Sequence, residues 1–237
     1  MLVATEHAKR LSVARKEVVW LLGRAAWYLW ARGQYREARP LAERALSIGQ
    51  AIGPDDPDMI HWHSILGFVL RAAGDLTGAR NQHEHALRIG GTTMGPDHRA
   101  MAAMHNNLGL VLRRLGDLTG ARSHHERALT IGVATMGADN PDVAAMHNNL
   151  GLVLRRLGNL GDARTHHERA LQIGETSIGA DHPDMASRHS NLGIVLRALG
   201  DRVGARTHHE RAFAILQDAY GAYHPRAQNA SRWLEDL

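Results

Sequence analysis

A repeat of 42 residues constrains the fold of this chain more than any other feature of its sequence. Four glycines occupy the same place in the strings "ILGFVLR", "NLGLVLR", "NLGLVLR" and "NLGIVLR", and successive ones are 42 positions apart: Gly67, Gly109, Gly151 and Gly193. A loop such as "GADNPD" returns at the same interval. Self-similarity at a fixed period is the signature of repeat proteins, so the chain is predicted to be an array of similar units.

Each unit is predicted to be a pair of amphipathic helices. In the third copy, apolar residues recur at helical spacing over residues 102–115, Gly116 and Asp117 supply a turn, and a second helix follows over 118–136. Pro141 suits the first turn of the next helix. Such helices bury their apolar faces only when neighbouring units stack. The predicted fold is therefore all-α, a right-handed α-solenoid of helix–turn–helix repeats.

The predicted organisation has three parts. An N-terminal helix over residues 1–17 precedes five helical hairpins, and a capping helix covers 225–237. Glycines inside the second helices, such as Gly132 and Gly174, are expected to bend or fray them, because glycine costs about 1 kcal/mol against alanine in a helix. The hairpins are expected at 18–56, 57–98, 99–140, 141–182 and 183–224.

Composition excludes several classes of protein. Hydrophobic residues make up 44% of the chain but aromatics only 5%, which favours a core of small aliphatic side chains and hence helices. With no cysteine, disulfides, thiolate metal sites and cysteine nucleophiles are excluded. The net charge of +4 comes from interspersed charges, so nucleic acid is not expected as a partner. No apolar run is long enough to cross a bilayer, and a cytoplasmic location is expected.

The motifs resemble those of a known repeat family. Small residues at Gly109, Ala121 and Ala128 within a helix–turn–helix unit resemble the tetratricopeptide repeat (TPR). The 42-residue spacing, with "NNLG", "GDLTGAR", "HERAL" and "MGADNPD", resembles the long repeat of kinesin light chains. The resemblance covers about residues 18–237 and implies a stack of hairpins whose concave side holds peptides.

The first sixty residues carry a second resemblance. The stretch "WLLGRAAWYLWARGQYREARPLAERALSIG" is similar to the start of the C-terminal repeat region of bacterial NB-ARC (STAND-type) signalling ATPases. In that family the repeats act as a sensor or an autoinhibitory arm beside a nucleotide-binding module. This chain has no GxxxxGKS or GxxxxGKT phosphate loop, so nucleotide binding is not implied. It is either a fragment of such a protein or a free-standing repeat protein.

Helical geometry predicts which residues line a groove. Residues three before, one after and four after each repeat glycine fall on one face of the first helix. They form three ladders: Ser64, Asn106, Asn148 and Ser190; Phe68, Leu110, Leu152 and Ile194; and Arg71, Arg113, Arg155 and Arg197. Amides and hydroxyls suit a peptide backbone, apolar residues its side chains, and arginines its carboxylates.

Two alternatives stay open for this groove. The arginines either bind an acidic ligand or form ordinary ion pairs with glutamates such as Glu84, Glu126 and Glu168. Trp27 and Trp30, at comparable positions of a diverged first copy, either anchor a ligand or cap the open end of the stack.

Histidines also follow the repeat. His105 and His125 are expected to face each other between the paired helices, as are the equivalent pairs in the other copies. Two histidines per unit are too few for zinc, so packing is the favoured interpretation and no metal or other cofactor is predicted. A separate hypothesis is that these buried imidazoles loosen the stack when they protonate at mildly acidic pH.

The predicted function follows from the groove and from the absence of any recognised catalytic motif. The chain is expected to be a non-catalytic scaffold or ligand-sensing domain that binds a protein or peptide bearing acidic groups. The alternative is an architectural role, in which the stack mediates self-association or acts as the autoinhibitory arm of a STAND-type signalling protein.

Overall fold

All regular structure in the described part of the chain is α-helical. The computed structural model describes residues 2–53, 56–221 and 223–235, and these contain eleven helices and no strand. Consecutive helices form pairs typical of an α-solenoid, which confirms the predicted fold class. The chain divides into two compact units, Met1–Asp117 (unit 1) and Leu118–Leu237 (unit 2).

Unit 1 contains five helices. In it α1 packs on both α2 and α3, and the later helices each pack on the next in the chain. Their bounds are α1 Leu2–Ala31, α2 Tyr35–Ile52, α3 Asp58–Ala73, α4 Leu76–Thr93 and α5 Arg99–Leu115.

Unit 2 contains six helices, each of which packs on the next, and α7 also contacts α9. Their bounds are α6 Leu118–Met136, α7 Pro141–Arg156, α8 Leu160–Ser177, α9 Pro183–Ala198, α10 Arg202–Tyr220 and α11 Pro225–Glu235.

The first helix and the unit boundary differ from the predicted organisation. Helix α1 runs from Leu2 to Ala31 without a break near residue 17, because no glycine or proline interrupts "SVARKEVVW". The boundary between the compact units falls inside the expected hairpin 99–140. The division into hairpins therefore stays a prediction, and residues 1, 236 and 237 of the expected terminal helices lie outside the described residues.

The turns use the chemistry that the sequence suggests. Gly200 follows the end of α9 and has a φ of +89°. Glycine adopts this left-handed conformation without steric cost. The carboxylate of Asp201 then caps α10 by accepting a hydrogen bond from the Gly204 amide at 2.9 Å. Pro141 begins α7 next to the cap Asn140, whose side-chain oxygen accepts from the Asp142 amide at 2.9 Å. The sequence pattern therefore fixes where these helices start.

Glycine and alanine allow the helices to approach closely. Ala163 and Ala170 on α8 are fully buried, as are Ala205 and Ala212 on α10. The expectation that Gly132 and Gly174 fray their helices is wrong, since α6 continues to Met136 and α8 to Ser177. A Cβ at Gly132 would lie 2.8 Å from the Met146 sulfur, so packing of the neighbouring helix holds this stretch helical.

Candidate functional site

The three predicted ladders occupy the first helices of four repeats, α3, α5, α7 and α9, and their residues are called the ladder face below. All twelve residues are half-buried except Arg197, which is exposed. Residues between them, such as Leu66 and Val69 on α3, are buried in the core. The structure thus places the predicted residues on an accessible face of each helix, and their role in binding stays a prediction.

Unit 1 brings three of the predicted aromatic residues together. The rings of Trp27 and Trp30 on α1 have centroids 4.6 Å apart, and the Phe68 ring on α3 lies 5.8 Å from Trp27 and 5.7 Å from Trp30. Trp27 remains 44% exposed. Trp30 and Phe68 are half-buried. The tryptophans therefore extend the ladder face of α3 with an accessible aromatic surface.

The amide ladder is partly engaged within the protein. In unit 2 the Asn148 side-chain oxygen accepts a hydrogen bond from the Asn191 side-chain amide at 3.0 Å, which connects α7 with α9. In unit 1 the Ser64 hydroxyl donates to the Ile60 carbonyl of its own helix at 2.7 Å. Asn191 was not among the predicted residues, although it follows Asn148 by one repeat and one residue.

The expected ion pairs between ladder arginines and glutamates are not formed by Glu84 and Glu168. Each of these glutamates accepts from an arginine four residues earlier on its own helix: Arg80 and Arg164 donate to them through Nε at 2.7 Å. The same bond joins Arg122 to Glu126 on α6. The guanidinium of Arg197 instead lies 5.6 Å from the centre of the Trp233 ring. These second-helix glutamates thus belong to second-helix arginines.

Arg71 lies beside a second arginine. The Arg114 guanidinium of α5 donates a hydrogen bond to the Arg71 carbonyl at 2.7 Å. Burial lowers the pKa of Arg71, and the positive charge of Arg114 acts in the same direction. Within the described part of the chain, no carboxylate lies at ion-pair distance from Arg71. This part of the ladder face therefore carries excess positive charge.

The predicted histidine partners were wrong by one residue where the structure shows them. His63 on α3 bonds through Nδ1 to the Gln82 side-chain oxygen at 2.8 Å. In unit 2, His147 bonds to His166 and His189 to His208, through Nδ1 atoms 2.8 and 2.9 Å apart. The first-helix histidine thus bonds to the residue 19 positions later and not to the histidine 20 positions later. The turn and the crossing of the two helices decide which residues face each other, and sequence spacing alone does not predict this.

The histidines 20 positions later pack on the repeat glycines instead. A Cβ at Gly67 would lie 2.6 Å from the His83 ring, and one at Gly151 or Gly193 would lie 2.8 Å from the ring of His167 or His209. These three imidazoles are almost completely buried. The repeat glycine therefore makes room for a ring, which explains why the two residue types recur together.

Burial makes these histidines weak bases. It lowers the pKa of His83 and of His167 to about 4, and the guanidiniums of Arg71 and Arg155 contribute in the same direction. No ring nitrogen of His167 or His209 has a hydrogen-bond partner in the described part of the chain. At neutral pH these rings are uncharged packing residues.

A cavity of about 610 Å³ in unit 1 lies outside the predicted groove. It is formed by α1, the end of α2 and the start of α3, and two tryptophans, Trp20 and Trp62, contribute to its wall. These tryptophans are one 42-residue repeat apart, and this correspondence was the only sequence signal for the cavity.

Among the described residues, no group of three or more His, Asp or Glu side chains is placed to hold a metal ion. None of the helices described is long and apolar enough to span a membrane.

The fold and this surface define the class of the protein as an all-α helical-repeat protein. A tetratricopeptide-repeat family model matches residues 16–90, 58–132, 99–175 and 142–218. The chain therefore belongs to the tetratricopeptide-repeat family. No curated protein sequence matches it.

Solved structures support the same conclusion. BtubC (BKLC) from P. vanneervenii is 28% identical with a TM-score of 0.77, over 93% of this chain and 89% of that one. A P. anserina kinesin light chain-type protein with nearly identical TPR-like repeats is 20% identical with a TM-score of 0.74, over 86% and 97%. YrrB, a TPR protein with an unusual peptide-binding site, is 18% identical with a TM-score of 0.59, over 95% and 97%. The likeness to the last two concerns the fold alone.

Proposed function

We propose that the chain is a non-catalytic scaffold that binds a protein or peptide on its ladder face, and that the partner presents carboxylates there. One observation carries the acidic preference: the adjacent Arg71 and Arg114 of unit 1, with no carboxylate at ion-pair distance from Arg71 in the described residues. A partner carboxylate would relieve the repulsion between two guanidiniums and gain charge-assisted hydrogen bonds.

The aromatic cluster supplies the apolar part of the same surface. Trp27 and Trp30 lie on α1, which packs on α3. Phe68 lies on α3 and is itself a ladder-face residue. Partly exposed tryptophans give a large contact area with few rotatable bonds, and such residues dominate binding energy at many interfaces. The proposed ligand is therefore a segment that combines acidic with apolar or aromatic residues. YrrB, a TPR protein with an unusual peptide-binding site, supports this class of ligand.

A peptide array tests the proposal. The full chain is applied to immobilised decapeptides rich in Asp, Glu and Leu, with matched Asn, Gln and Leu peptides beside them. Tighter binding to the acidic set is expected, and it should weaken by roughly tenfold or more when Arg71→Glu and Arg114→Glu are combined, because these changes reverse charge where the carboxylate binds.

The matched control combines Arg36→Glu with Arg206→Glu, which changes the net charge equally on the second helices α2 and α10, where both arginines are exposed. This control should retain binding. Equal losses in both double variants, or no preference for acidic over amide peptides, would contradict the proposed surface.

An architectural role is the second candidate, and a different observation favours it. Trp20 and Leu21 on α1 are 50% and 59% exposed. In later repeats the counterpart of Trp20 is Met104 or Met146, which packs on a glycine of the preceding second helix, Gly90 or Gly132. The exposed position on α1 is therefore suited to be covered by another helix, as self-association or a STAND-type arm would require.

Sedimentation velocity separates the two candidates. A scaffold that uses only its ladder face sediments as a monomer, and its arginine variants change peptide binding alone. An architectural role predicts an oligomer that persists in the arginine variants and dissociates when Leu21→Glu places a charge on the exposed face of α1.

A further inference from the structure

The cavity of unit 1 has the size and composition of a small-molecule site. Its volume of about 610 Å³ is within the range of roughly 300–1,000 Å³ that is usual for such sites. Val19, Leu21, Ile52 and Met59 line it together with the two tryptophans. None of these residues belongs to the ladder face.

The cavity is held open by close packing around it. Trp62 is 7% exposed and Met59 is 1% exposed. A side chain at Gly23 would overlap the Trp62 ring, and a Cβ at Gly49 would lie 2.8 Å from the Met59 sulfur. Because the two glycines leave this space to Trp62 and Met59, the floor of the cavity is fixed without a ligand.

Its aromatic wall is suited to a cation. The ring of Trp20 already accepts one, since the guanidinium carbon of Arg24 lies 4.8 Å from the ring centre. Trp20 is half exposed and its ring has a second face, whereas Trp62, which lines the same cavity, is buried. An apolar body with a positive group therefore finds both dispersion and cation–π attraction here.

The polar lining is predominantly acidic. Glu17, Asp56 and Asp58 contribute carboxylates, and Lys16 contributes an ammonium that pairs with Asp56 at 3.1 Å. The Asp58 amide and Lys16 lower the pKa of Asp56, which is ionised at neutral pH. Burial lowers the pKa of His61, which also lines the cavity, so that its ring is neutral there. Among the lining residues that the structure describes, three carboxylates thus accompany one ammonium, and the Arg24 guanidinium lies on the Trp20 ring beside them.

We infer that this cavity binds a small organic cation, an amine with an aromatic or branched apolar body. The body packs between Trp20 and Trp62, and the ammonium lies toward Glu17 and Asp58, the carboxylates that Lys16 does not pair with. An anion of the same shape is repelled by the lining, and a neutral analogue gains only the apolar contacts.

Titration with three compounds of matched shape tests the inference on the full chain. The probes are 2-phenylethylamine, 2-phenylethanol and 3-phenylpropanoate. Their binding is measured by saturation-transfer NMR and by chemical-shift changes in the protein. The amine is expected to bind roughly tenfold more tightly than the alcohol, and the carboxylate not measurably. Equal binding of all three, or no saturable binding of the amine, would overturn the inference.

Variants of the lining locate the site. Glu17→Gln combined with Asp58→Asn should weaken amine binding by roughly tenfold, whereas Lys16→Met should strengthen it, because it removes the competing positive charge. Glu37→Gln with Asp218→Asn, which changes the net charge equally at exposed positions outside the cavity, should have no effect.

A pair of tryptophan variants separates the cavity from the ladder face. Trp20→Ala should abolish amine binding and Trp27→Ala should leave it unchanged, and both positions are exposed enough to tolerate alanine. Loss of amine binding in Trp27→Ala but not in Trp20→Ala would overturn the inference. So would sedimentation velocity that shows a dimer which excludes the amine and dissociates in Trp20→Ala. Acidic-peptide binding should weaken in Trp27→Ala, which belongs to the proposed peptide surface, and stay unchanged in Trp20→Ala, so the two proposals fail independently.

Discussion

Units 1 and 2 use the same hairpin but give its first-helix histidine different partners. In unit 1 His63 bonds to Gln82, which does not titrate. In unit 2 the equivalent histidines, His147 and His189, bond to other histidines at the same position of the second helix. The two kinds of bond have nearly the same length, but those of unit 2 join two titratable rings. The titratable neighbour of His63 is instead His85, whose ring stacks on it with centroids 5.1 Å apart.

The glycine beneath the second histidine does not differ between the units. The ring of His83 packs on Gly67 in unit 1, and the ring of His209 packs on Gly193 in unit 2. Each ring occupies the space that the Cβ of any larger residue would need. Close packing at this point is therefore required by the hairpin itself. The residue that bonds to the first-helix histidine does differ: it is Gln82 in unit 1 and His166 or His208 in unit 2.

The ends of the two units also differ. In unit 2, α11 packs on α10, buries Ala227 and Ala230, and stacks Trp233 on His209 with centroids 5.7 Å apart. In unit 1, α1 leaves Trp20 and Leu21 exposed beside the cavity. One end is closed by a short helix, and the other presents an accessible aromatic surface.

Acid should destabilise unit 2 more than unit 1, and this is the largest effect we predict. In unit 2 the pKa values of His147, His167 and His189 are about 4, well below the ordinary 6.5 that an unfolded chain restores, whereas among the described groups of unit 1 His83 alone is lowered to about 4. Their folded-state stability is complete above pH 6.5 and is lost as pH falls toward 4. We expect about 1 kcal/mol per histidine between pH 7.5 and 5.5, reduced for partial exposure.

The side chains that face these histidines set the size of this acid destabilisation. Thermal melts at pH 7.5 and 5.5 measure the loss of stability, with Trp233 reporting unit 2. An unchanged midpoint would rule it out. His166→Gln should reduce the acid sensitivity of unit 2, and Gln82→His should raise that of unit 1. The facing groups are His166 and Arg169 at His147, Arg155 and His166 at His167, and His208 and Arg211 at His189.

Alanine at a repeat glycine should cost about 1–3 kcal/mol of unfolding free energy through overpacking. Gly67→Ala is expected to be the more damaging variant, since its Cβ would lie 2.6 Å from the His83 ring and Phe68 packs edge-on against that ring at 5.5 Å. Gly193→Ala should follow, with a closest approach of 2.8 Å. Urea unfolding measures both.

The control for this pair is Gly161→Ala on α8, where a Cβ would meet nothing within 4 Å. Alanine there should be neutral or slightly stabilising, because it favours the helix. Equal urea midpoints for Gly67→Ala and Gly161→Ala would contradict the prediction. They would mean that the stability of the fold does not depend on the absence of a side chain where the histidine ring packs on the repeat glycine.

The sequence was sufficient for the fold because a 42-residue period and its turn residues are properties of the chain alone. The start of α7 at Pro141 and of α6 at Leu118 were predicted correctly on that basis. Gly132 was misjudged, because intrinsic helix propensity takes no account of Met146 packed against it.

The site was predictable only in part, for a related reason. Helical periodicity placed the ladder residues on one accessible face, but it did not reveal that Asn148 bonds to Asn191 or that Glu84 pairs with Arg80. Contacts of this kind depend on rotamers and on the crossing of helices. The cavity beside Trp20 depends on both and on three separate helices, so no local pattern signals it.

The smallest effect predicted concerns the surface ion pairs, which the two units share without change. Arg80–Glu84 in unit 1 and Arg164–Glu168 in unit 2 have the same 2.7 Å separation, and all four side chains are 45–51% exposed. Double-mutant cycles to alanine should give a small coupling of the same size in each unit, and a smaller one in 1 M salt, because water and ions screen exposed charges. A clearly larger coupling in one unit would mean that its neighbourhood, and not the helix alone, orders the pair. The differences between the units would then extend beyond the histidine partners to the exposed faces of the second helices.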